Sequence, residues 1–228
     1  MLAPPLSNHT IVDRLNNVHR CDYDRWMATL RPIVRAKFLA FTAPLEGCVR
    51  YFYLDILGLP TIAYGCLIAT EAEARALPMV RSSGTAATPE ECAEDWHRVK
   101  GTPALAQRGF RAAATVARLR LTPEGVEAVT WAKLDKMLDV LGRRFPDFAE
   151  WPASAQLAVV SLSWACGPAF NFPKCVAALQ RQDWAGAAAE CQMRTAGNPG
   201  LVPRNRANRA LLLGAAAGGD PEALVGWP

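Results

Sequence analysis

The chain lacks a long hydrophobic run and a recognisable secretory leader. None of its apolar stretches approaches the roughly 18 to 20 uninterrupted residues that cross a bilayer, so we expect no membrane span. The first 24 residues contain no basic region followed by an apolar one, which excludes an ordinary signal peptide. Together these absences predict a soluble protein that is synthesised in the cytoplasm.

The sequence also lacks a metal-binding motif. No two of its seven cysteines form a CxxC pair, and its three histidines, His9, His19 and His97, are scattered. We therefore expect no zinc site, no other metal and no cofactor. An odd number of cysteines leaves at least one thiol unpaired. Most buried thiols pack as small hydrophobic groups, although an oxidising compartment allows some to pair, and the spacing does not identify the pairs.

Strong charge of either sign is absent as well. Of the 228 residues, 51% are hydrophobic and 20% are charged, which is typical of a globular chain. The formal net charge of +4 is too small to indicate a nucleic-acid partner, but it suits adhesion to an anionic surface such as a cell wall. We expect a monomer.

What the chain does contain is a group of polar residues in the run EGCVRYFYLDILGLPTIAYG, residues 46–65. Glu46, Asp55 and Thr61 supply a carboxylic acid, a second carboxylate and a hydroxyl. Hydrolysis of a sugar bond requires one carboxyl group to protonate the leaving oxygen and a second group to activate water or stabilise the cation. A nearby hydroxyl can hold that water. These three residue types indicate a glycosidase, although many surface turns contain them by chance.

The residues around this group resemble the phage-type lysozymes, glycoside hydrolase family 24. The family pattern is Glu-Gly, then Tyr-x-Asp, then Gly-x-x-Thr-Ile-Gly-Tyr-Gly, usually followed by His. This chain matches it with Glu46-Gly47, Tyr53-x-Asp55, Gly58 and Thr61-Ile62-Ala63-Tyr64-Gly65. It departs from the pattern at two positions, since Ala63 stands for a glycine and Cys66 for the histidine.

A second block lies far downstream. The segment PRNRANR, residues 203–209, resembles the family's closing motif Asn-Arg-Ala-x-Arg. The resemblance implies that Arg206 lies beside the catalytic acid, where a guanidinium would hold the carboxyl group by a charge-assisted hydrogen bond. For such a basic run in isolation, a solvated helix face is the default interpretation. Arg209 lacks the family's acidic partner, because Leu45 occupies that place.

Local patterns predict the elements that carry these motifs. Apolar residues at helical spacing predict a helix that ends near Pro44 and delivers Glu46 to its C-terminus. Residues 48–68 alternate as a small antiparallel sheet does. Threonine followed by proline and glutamate at residues 88–90 and 122–124 predicts two helix starts. Residues 153–167 are apolar almost all round, which predicts a central buried helix.

The resemblance implies a lysozyme-like, mostly helical α+β fold with a small antiparallel β-sheet lobe and a helical lobe around that buried helix. We expect an N-terminal arm at residues 1–24 and a catalytic domain at residues 25–228, enlarged by a mainly helical insertion at about residues 70–121. The implied activity is an inverting muramidase that hydrolyses the β-1,4 bond between N-acetylmuramic acid and N-acetylglucosamine in peptidoglycan.

In that interpretation Glu46 is the general acid, Asp55 stabilises charge and activates water, Thr61 positions the water, and Arg206 supports Glu46. Further substrate contacts are expected from aromatic residues, namely Tyr53, Tyr64 and Trp164. The partner is the glycan strand of peptidoglycan in the periplasm. The chain would be a phage endolysin or an injected antibacterial effector, and an effector implies a cognate immunity protein.

Two other functions remain open. One is a non-catalytic peptidoglycan-binding protein with a lysozyme fold, which the departures at Ala63, Cys66 and Ala165 favour. The family usually has Asn or Gln where this chain has Ala165. The other is a glycosidase that acts on chitin or chitosan, because the same pair of carboxyl groups would serve that reaction.

Overall fold

The computed structural model describes residues 30–227. The arm expected at residues 1–24 lies outside this range. The described residues divide into two compact units, which we call the sheet unit, residues 39–134, and the helical unit, residues 30–38 with residues 135–227. The first helix, α1 (Pro32–Glu46), contributes residues to both units.

The C-terminal part of α1 leads directly into the sheet. The helix continues two residues past Pro44, and Glu46 is its last residue, so the prediction that a helix delivers Glu46 at its C-terminus is confirmed. Gly47 follows with a φ of +69°, a left-handed conformation that glycine adopts easily, and its N–H donates to the carbonyl of Ala43 at 3.1 Å. This turn ends the helix and redirects the chain into the first strand.

Three strands form an antiparallel sheet in the order β1 (Val49–Leu54), β2 (Pro60–Ala63) and β3 (Cys66–Leu67). This confirms the small sheet predicted for residues 48–68. Tyr53 on β1 lies opposite Thr61 on β2. The register therefore brings a phenol and a hydroxyl of the candidate site to one level of the sheet.

The segment 70–121 contains four helices, α2 (Glu71–Arg75), α3 (Pro89–Lys100), α4 (Leu105–Arg108) and α5 (Phe110–Ala113). The start predicted at Thr88 is confirmed, because its hydroxyl accepts from the Glu91 N–H while the Glu91 carboxylate accepts from the Thr88 N–H. The segment also forms a second sheet, in which β4 (Met79–Val80) pairs with β5 (Arg120–Leu121). The sequence pattern does not predict these strands.

A buried carboxylate holds the end of this segment in place. Asp95 on α3 is almost inaccessible to solvent and accepts hydrogen bonds from the backbone N–H groups of Arg118 and Leu119 at 2.8 and 3.1 Å. Arg98 donates to the same side chain at 2.5 Å. These bonds satisfy a charge that would otherwise be costly to bury, and they fix the chain directly before β5.

The long helix α6 (Pro123–Arg144) starts after Thr122 as predicted and supplies residues to both units. In the helical unit it is followed by a 3₁₀ turn (Phe148–Glu150) and then by α7 (Ala153–Cys166), α8 (Pro173–Gln180), α9 (Trp184–Glu190) and α10 (Leu201–Ala216). All residues of α7 from Ala153 to Trp164 are buried, which confirms the predicted central helix.

The fold is therefore a mixed α+β fold that is mostly helical and contains a small antiparallel sheet. Aromatic packing stabilises the helical unit, since the ring of Trp151 lies 5.0 Å from that of Trp184 and 5.1 Å from those of Phe145 and Phe148. No helix within residues 30–227 combines the length and the apolar character that crossing a membrane requires.

Candidate functional site

Glu46 is exposed at the end of α1 and reaches the turn between β2 and β3. A Cβ atom placed on Gly65 would lie 3.6 Å from Oε2 of Glu46, so the carboxylate rests directly over this glycine. Gly65 has a φ of +73°, a conformation that strongly favours glycine. The match to the family's final glycine therefore has a physical reason, because the residue makes the tight turn that lies under the carboxylate.

Asp55 directly follows β1 and organises the hairpin loop. Its Oδ1 atom accepts hydrogen bonds from the N–H groups of Leu57 and Leu59, both at 2.9 Å. The backbone closes the same loop, since the Asp55 N–H donates to the Leu59 carbonyl at 3.0 Å and the Gly58 N–H donates to the Asp55 carbonyl at 2.9 Å. Within residues 30–227, Oδ2 accepts no hydrogen bond. The loop thus fixes one carboxylate oxygen and leaves the other available.

Thr61 is buried on β2, and its hydroxyl donates to the carbonyl of Leu59 at 3.0 Å. Because the hydroxyl proton is used in this way, the oxygen can act toward a water molecule only as an acceptor. Thr61 is therefore suited to orient a water molecule by accepting a hydrogen bond from it.

The phenol of Tyr53 is affected by the charges of both carboxylates. The pKa of this phenol is raised to about 12, mainly by burial and then by the negative charges of Glu46 and Asp55. Both carboxylates act on this one hydroxyl, which lies opposite Thr61 in the sheet. Both carboxylates are therefore within electrostatic range of Tyr53, and the phenol stays protonated at neutral pH.

Cys66, where the family usually has histidine, is buried against α6. Its thiol approaches the carbonyl of Val129 at 4.0 Å and also interacts with Thr130. Burial raises the pKa of this thiol to about 11, although the positive charge of Lys133 opposes the increase. Cys66 therefore fills space as an uncharged group at neutral pH and does not carry protons as an imidazole would.

Lys133 is a polar residue near the candidate site that no sequence motif indicates. Its ammonium group donates to the carbonyl of Gly65 at 2.9 Å, which puts a cation beside the glycine that lies under Glu46. Lys133 belongs to the long amphipathic helix α6, where lysine is common on solvated faces. Its sequence surroundings therefore give no signal that it lies near the sheet.

Ala63, where the family has glycine, has a φ of +56°. Only glycine adopts this left-handed conformation without steric cost, because a Cβ atom comes too close to the following carbonyl oxygen. Ala63 is also buried, and it pairs with Val49 next to an irregular stretch of β1. The backbone at this position therefore has the conformation that glycine favours, although the residue there is alanine and carries a methyl side chain.

Of the two tyrosines predicted to contact substrate, Tyr64 lies at the turn after β2. Its hydroxyl hydrogen-bonds the thiol of Cys48. Burial raises the pKa of Tyr64, with further contributions from Cys48 and from the carboxylate of Glu127. Tyr53 and Tyr64 are both partly exposed, so each retains a surface that a ligand can touch.

The other two predicted residues belong to the helical unit. Trp164 is buried on α7 and packs edge-on against Phe38, with ring centroids 5.2 Å apart. Arg206 is exposed on α10, whereas Arg204 on the same helix is buried and donates to the carbonyl and hydroxyl of Ser161 at 3.0 and 3.2 Å. The support of Glu46 by Arg206 stays a prediction.

The burial of Arg204 could have been found from helical spacing. Arg204, Asn208, Leu211 and Ala215 recur at intervals of four, three and four residues, and all four are buried. Leu211 and Ala215 are the apolar members of this stripe, and a position on the same face of the helix as these two is expected to point inward. The motif NRANR instead indicates Arg206, two positions after Arg204.

Within the part of the chain that the structure describes, no three or more His, Cys, Asp or Glu side chains are grouped in a way that would hold a metal ion.

A scan against protein-family models found no match to this chain, and searches of curated proteins and of solved structures found none either.

Proposed function

We propose that this chain is a muramidase with a lysozyme-like fold, which hydrolyses the β-1,4 bond between N-acetylmuramic acid and N-acetylglucosamine. The observation that carries the proposal is that one three-stranded sheet carries all three groups: Glu46 lies over the turn between β2 and β3, Asp55 directly follows β1, and Thr61 lies on β2 opposite Tyr53. Two carboxyl groups are what an inverting glycosidase requires, and a hydroxyl in the same small unit can position the attacking water.

The local geometry supports a separate role for each residue. Glu46 is exposed at a helix end, so its carboxyl group is accessible to a glycosidic oxygen and can protonate it as the C–O bond breaks. Asp55 has Oδ1 bound to the loop, so Oδ2 accepts a proton from the attacking water. The Thr61 hydroxyl oxygen accepts a hydrogen bond from the other O–H of that water, which stays on the new hydroxyl group. The new C–O bond then forms on the face opposite the leaving group.

This assignment requires room for a water molecule between Asp55 and the sugar. The inverting reaction therefore expects the two carboxyl groups roughly 6.5 to 9.5 Å apart, whereas a retaining reaction expects about 5 to 5.5 Å. The stereochemistry of the released sugar distinguishes the inverting reaction from the retaining one without reference to the structure. Inversion gives the α-anomer as the first product, and NMR spectra recorded within minutes distinguish it from the β-anomer.

The decisive experiment is digestion of purified peptidoglycan sacculi, with new reducing ends as the readout. We expect Glu46→Gln and Asp55→Asn each to lower the rate by about 10²-fold or more, which is the usual contribution of a general acid or base. Asp55→Asn keeps an Oδ1 acceptor for the two loop N–H groups, so its loop remains intact. Glu94→Gln, another exposed glutamate in the sheet unit, is the matched control and should digest normally.

Undiminished digestion by Glu46→Gln would refute the assignment. A second candidate, a peptidoglycan-binding protein without turnover, is favoured by Cys66, because this thiol stays protonated at neutral pH at the position where the family has histidine. Such a protein would co-sediment with sacculi and release no reducing ends. Faster turnover of chitin or chitosan than of sacculi would instead identify the substrate as one of those polymers.

The biological setting that we propose is the bacterial cell wall, reached from the cytoplasm either as a phage endolysin or as an injected antibacterial effector. The two differ in one partner, because only an effector requires an immunity protein that blocks Glu46 and Asp55 in the producing cell. Expression of the chain in the periplasm should therefore lyse the cell in both cases, and a neighbouring gene that restores growth would identify the effector.

A further inference from the structure

The helical unit contains a tight helical hairpin formed by α8 and α9, which pack against each other. Residues 181–183 make the turn, in which the N–H groups of Arg181 and Asp183 both donate to the carbonyl of Ala178, at 3.1 and 2.9 Å. The Asp183 side chain then caps α9 by accepting from the Gly186 N–H at 2.8 Å. Because the turn is this short, the start of α8 meets the end of α9.

A cysteine lies at each of these meeting ends. Cys175 is the third residue of α8, and Cys191 directly follows the last residue of α9. Both are free thiols, and their exposed fractions are only 1% and 0%. The residues directly before them also meet, since the ammonium group of Lys174 lies 3.9 Å from the carboxylate of Glu190. This ion pair bridges the two helices at the level of the cysteines.

The electrostatics of the two thiols agree with this closeness. Burial raises the pKa of Cys175 to about 12, and the next largest cause of the increase is the charge of Cys191. Burial also raises the pKa of Cys191, but Arg209 and Gln192 oppose the increase. A thiolate influences another thiol strongly only at short range inside a protein. Because Arg209 and Gln192 favour its thiolate, Cys191 is the thiol that loses its proton more readily.

We propose that Cys175 and Cys191 are a disulfide-forming pair that becomes linked when the chain folds in an oxidising compartment. The bond would close a loop through residues 176–190 and join the open ends of the α8–α9 hairpin. No other pair among the cysteines of residues 30–227 has both thiols buried and a side-chain ion pair between the preceding residues.

The oxidant is a disulfide of low molecular weight, such as glutathione disulfide, or the disulfide of a thiol oxidase. Cys191 loses its proton and attacks this disulfide, which forms a mixed disulfide and releases one thiolate. Cys175 then loses its proton and attacks the sulfur of Cys191, which forms the intramolecular bond and releases the second thiolate. The chain loses two electrons and two protons, and the oxidant is reduced to two thiols.

Burial determines when this reaction takes place. In the folded state neither thiol is accessible, and their raised pKa values keep both protonated at neutral pH. Oxidation of the folded, reduced protein is therefore slow, whereas oxidation during folding is fast. A chain that folds in the cytoplasm keeps both thiols, and a chain that refolds after export acquires the bond.

Peptide mapping tests the pair directly. The denatured, reduced protein is refolded with a mixture of reduced and oxidised glutathione, alkylated and digested with trypsin without reductant. Trypsin cuts after Lys174, Arg181 and Arg194, so the two cysteines fall in separate peptides, residues 175–181 and 182–194. We expect one joined species that separates on reduction. Two separately alkylated peptides, or a link from either peptide to another cysteine, would overturn the proposal.

Thermal unfolding supplies the second measurement. For a loop of this length we expect oxidation to raise the melting temperature by about 10 °C. Cys175→Ala and Cys191→Ala should each abolish this increase, whereas Cys92→Ala, a buried cysteine of the sheet unit, should retain it. An equal increase in all three variants would refute the pairing. Neither measurement uses sacculi, so failure of the muramidase proposal leaves this result unaffected.

Discussion

The left-handed backbone at Ala63 allows a stability prediction to be worked from the structure. An L-residue with a Cβ atom pays about 1–2 kcal/mol in this conformation. Ala63→Gly removes that strain. It also removes a buried methyl group, whose burial stabilises the fold by about 0.8 kcal/mol. In addition, glycine gives the unfolded chain more conformational freedom, which destabilises the folded state by about 0.4–1 kcal/mol. These terms nearly cancel, so we expect a change in the free energy of unfolding close to zero.

A matched control makes the prediction sharp. Ala74 on α2 belongs to the same unit, and its exposed fraction of 0% compares with 1% for Ala63, but its backbone is helical. Ala74→Gly loses the same methyl group and gains the usual cost of a helical glycine, about 1 kcal/mol, so we expect a loss of about 2 kcal/mol. The two substitutions should therefore differ by about 1–2 kcal/mol, which is the strain at Ala63.

Urea unfolding followed by circular dichroism measures both variants, and equal slopes against urea concentration are needed before their midpoints are compared. Equal losses at the two positions would refute the reasoning, because they would mean that the left-handed conformation of Ala63 carries no strain. As a further check, Ala63→Val should be strongly destabilising, since a β-branched side chain fits this conformation worst.

Two predictions concern titration. Glu46→Gln and Asp55→Asn should each lower the pKa of Tyr53 from about 12, the first more than the second, while burial keeps it above 10. NMR titration of the tyrosine ring carbons measures this, and an unchanged pKa would show that the carboxylates lie elsewhere. Hydrogen bonds from Arg81 and then from the Thr88 N–H hold the pKa of Glu91 below its usual 4.5. Its stabilising contribution is thus present above that pH and lost as the pH falls through the lowered value. Urea midpoints of Glu91→Gln should accordingly fall less between pH 6 and pH 3 than those of the parent chain, and parallel curves would contradict this.

The features that the sequence predicts well are those with a local cause. The helix start at Thr88 depends on a threonine, a proline and a glutamate within four residues, and the structure shows both hydrogen bonds of the capping box. The buried helix α7 follows from an apolar surface that extends all round. The helix end that carries Glu46 and the small sheet that follows it likewise depend on neighbours in the chain.

The features that the sequence does not predict depend on residues far apart in the chain. The strand β4 pairs with β5 about forty residues later, and a two-residue strand has no periodicity to reveal it. Lys133 donates to the carbonyl of Gly65, which lies 68 residues earlier in the chain. For the candidate site, the motif identified Glu46, Asp55 and Thr61, but only the fold shows that one phenol, Tyr53, is influenced by both carboxylates.

The hydrogen bonds of Asp55 have a consequence for how the hairpin can vary in length. Ordinary hairpin tips tolerate inserted residues, because their backbone groups turn to water instead. Here one carboxylate oxygen binds the N–H groups of Leu57 and Leu59, so the number of residues between Asp55 and Leu59 is fixed by the reach of a single side chain. An insertion in this loop would therefore change the orientation of the carboxylate. Ile56 and Leu57 have exposed side chains, so we expect other residue types to be tolerated at these two positions, whereas the length of the loop must stay the same.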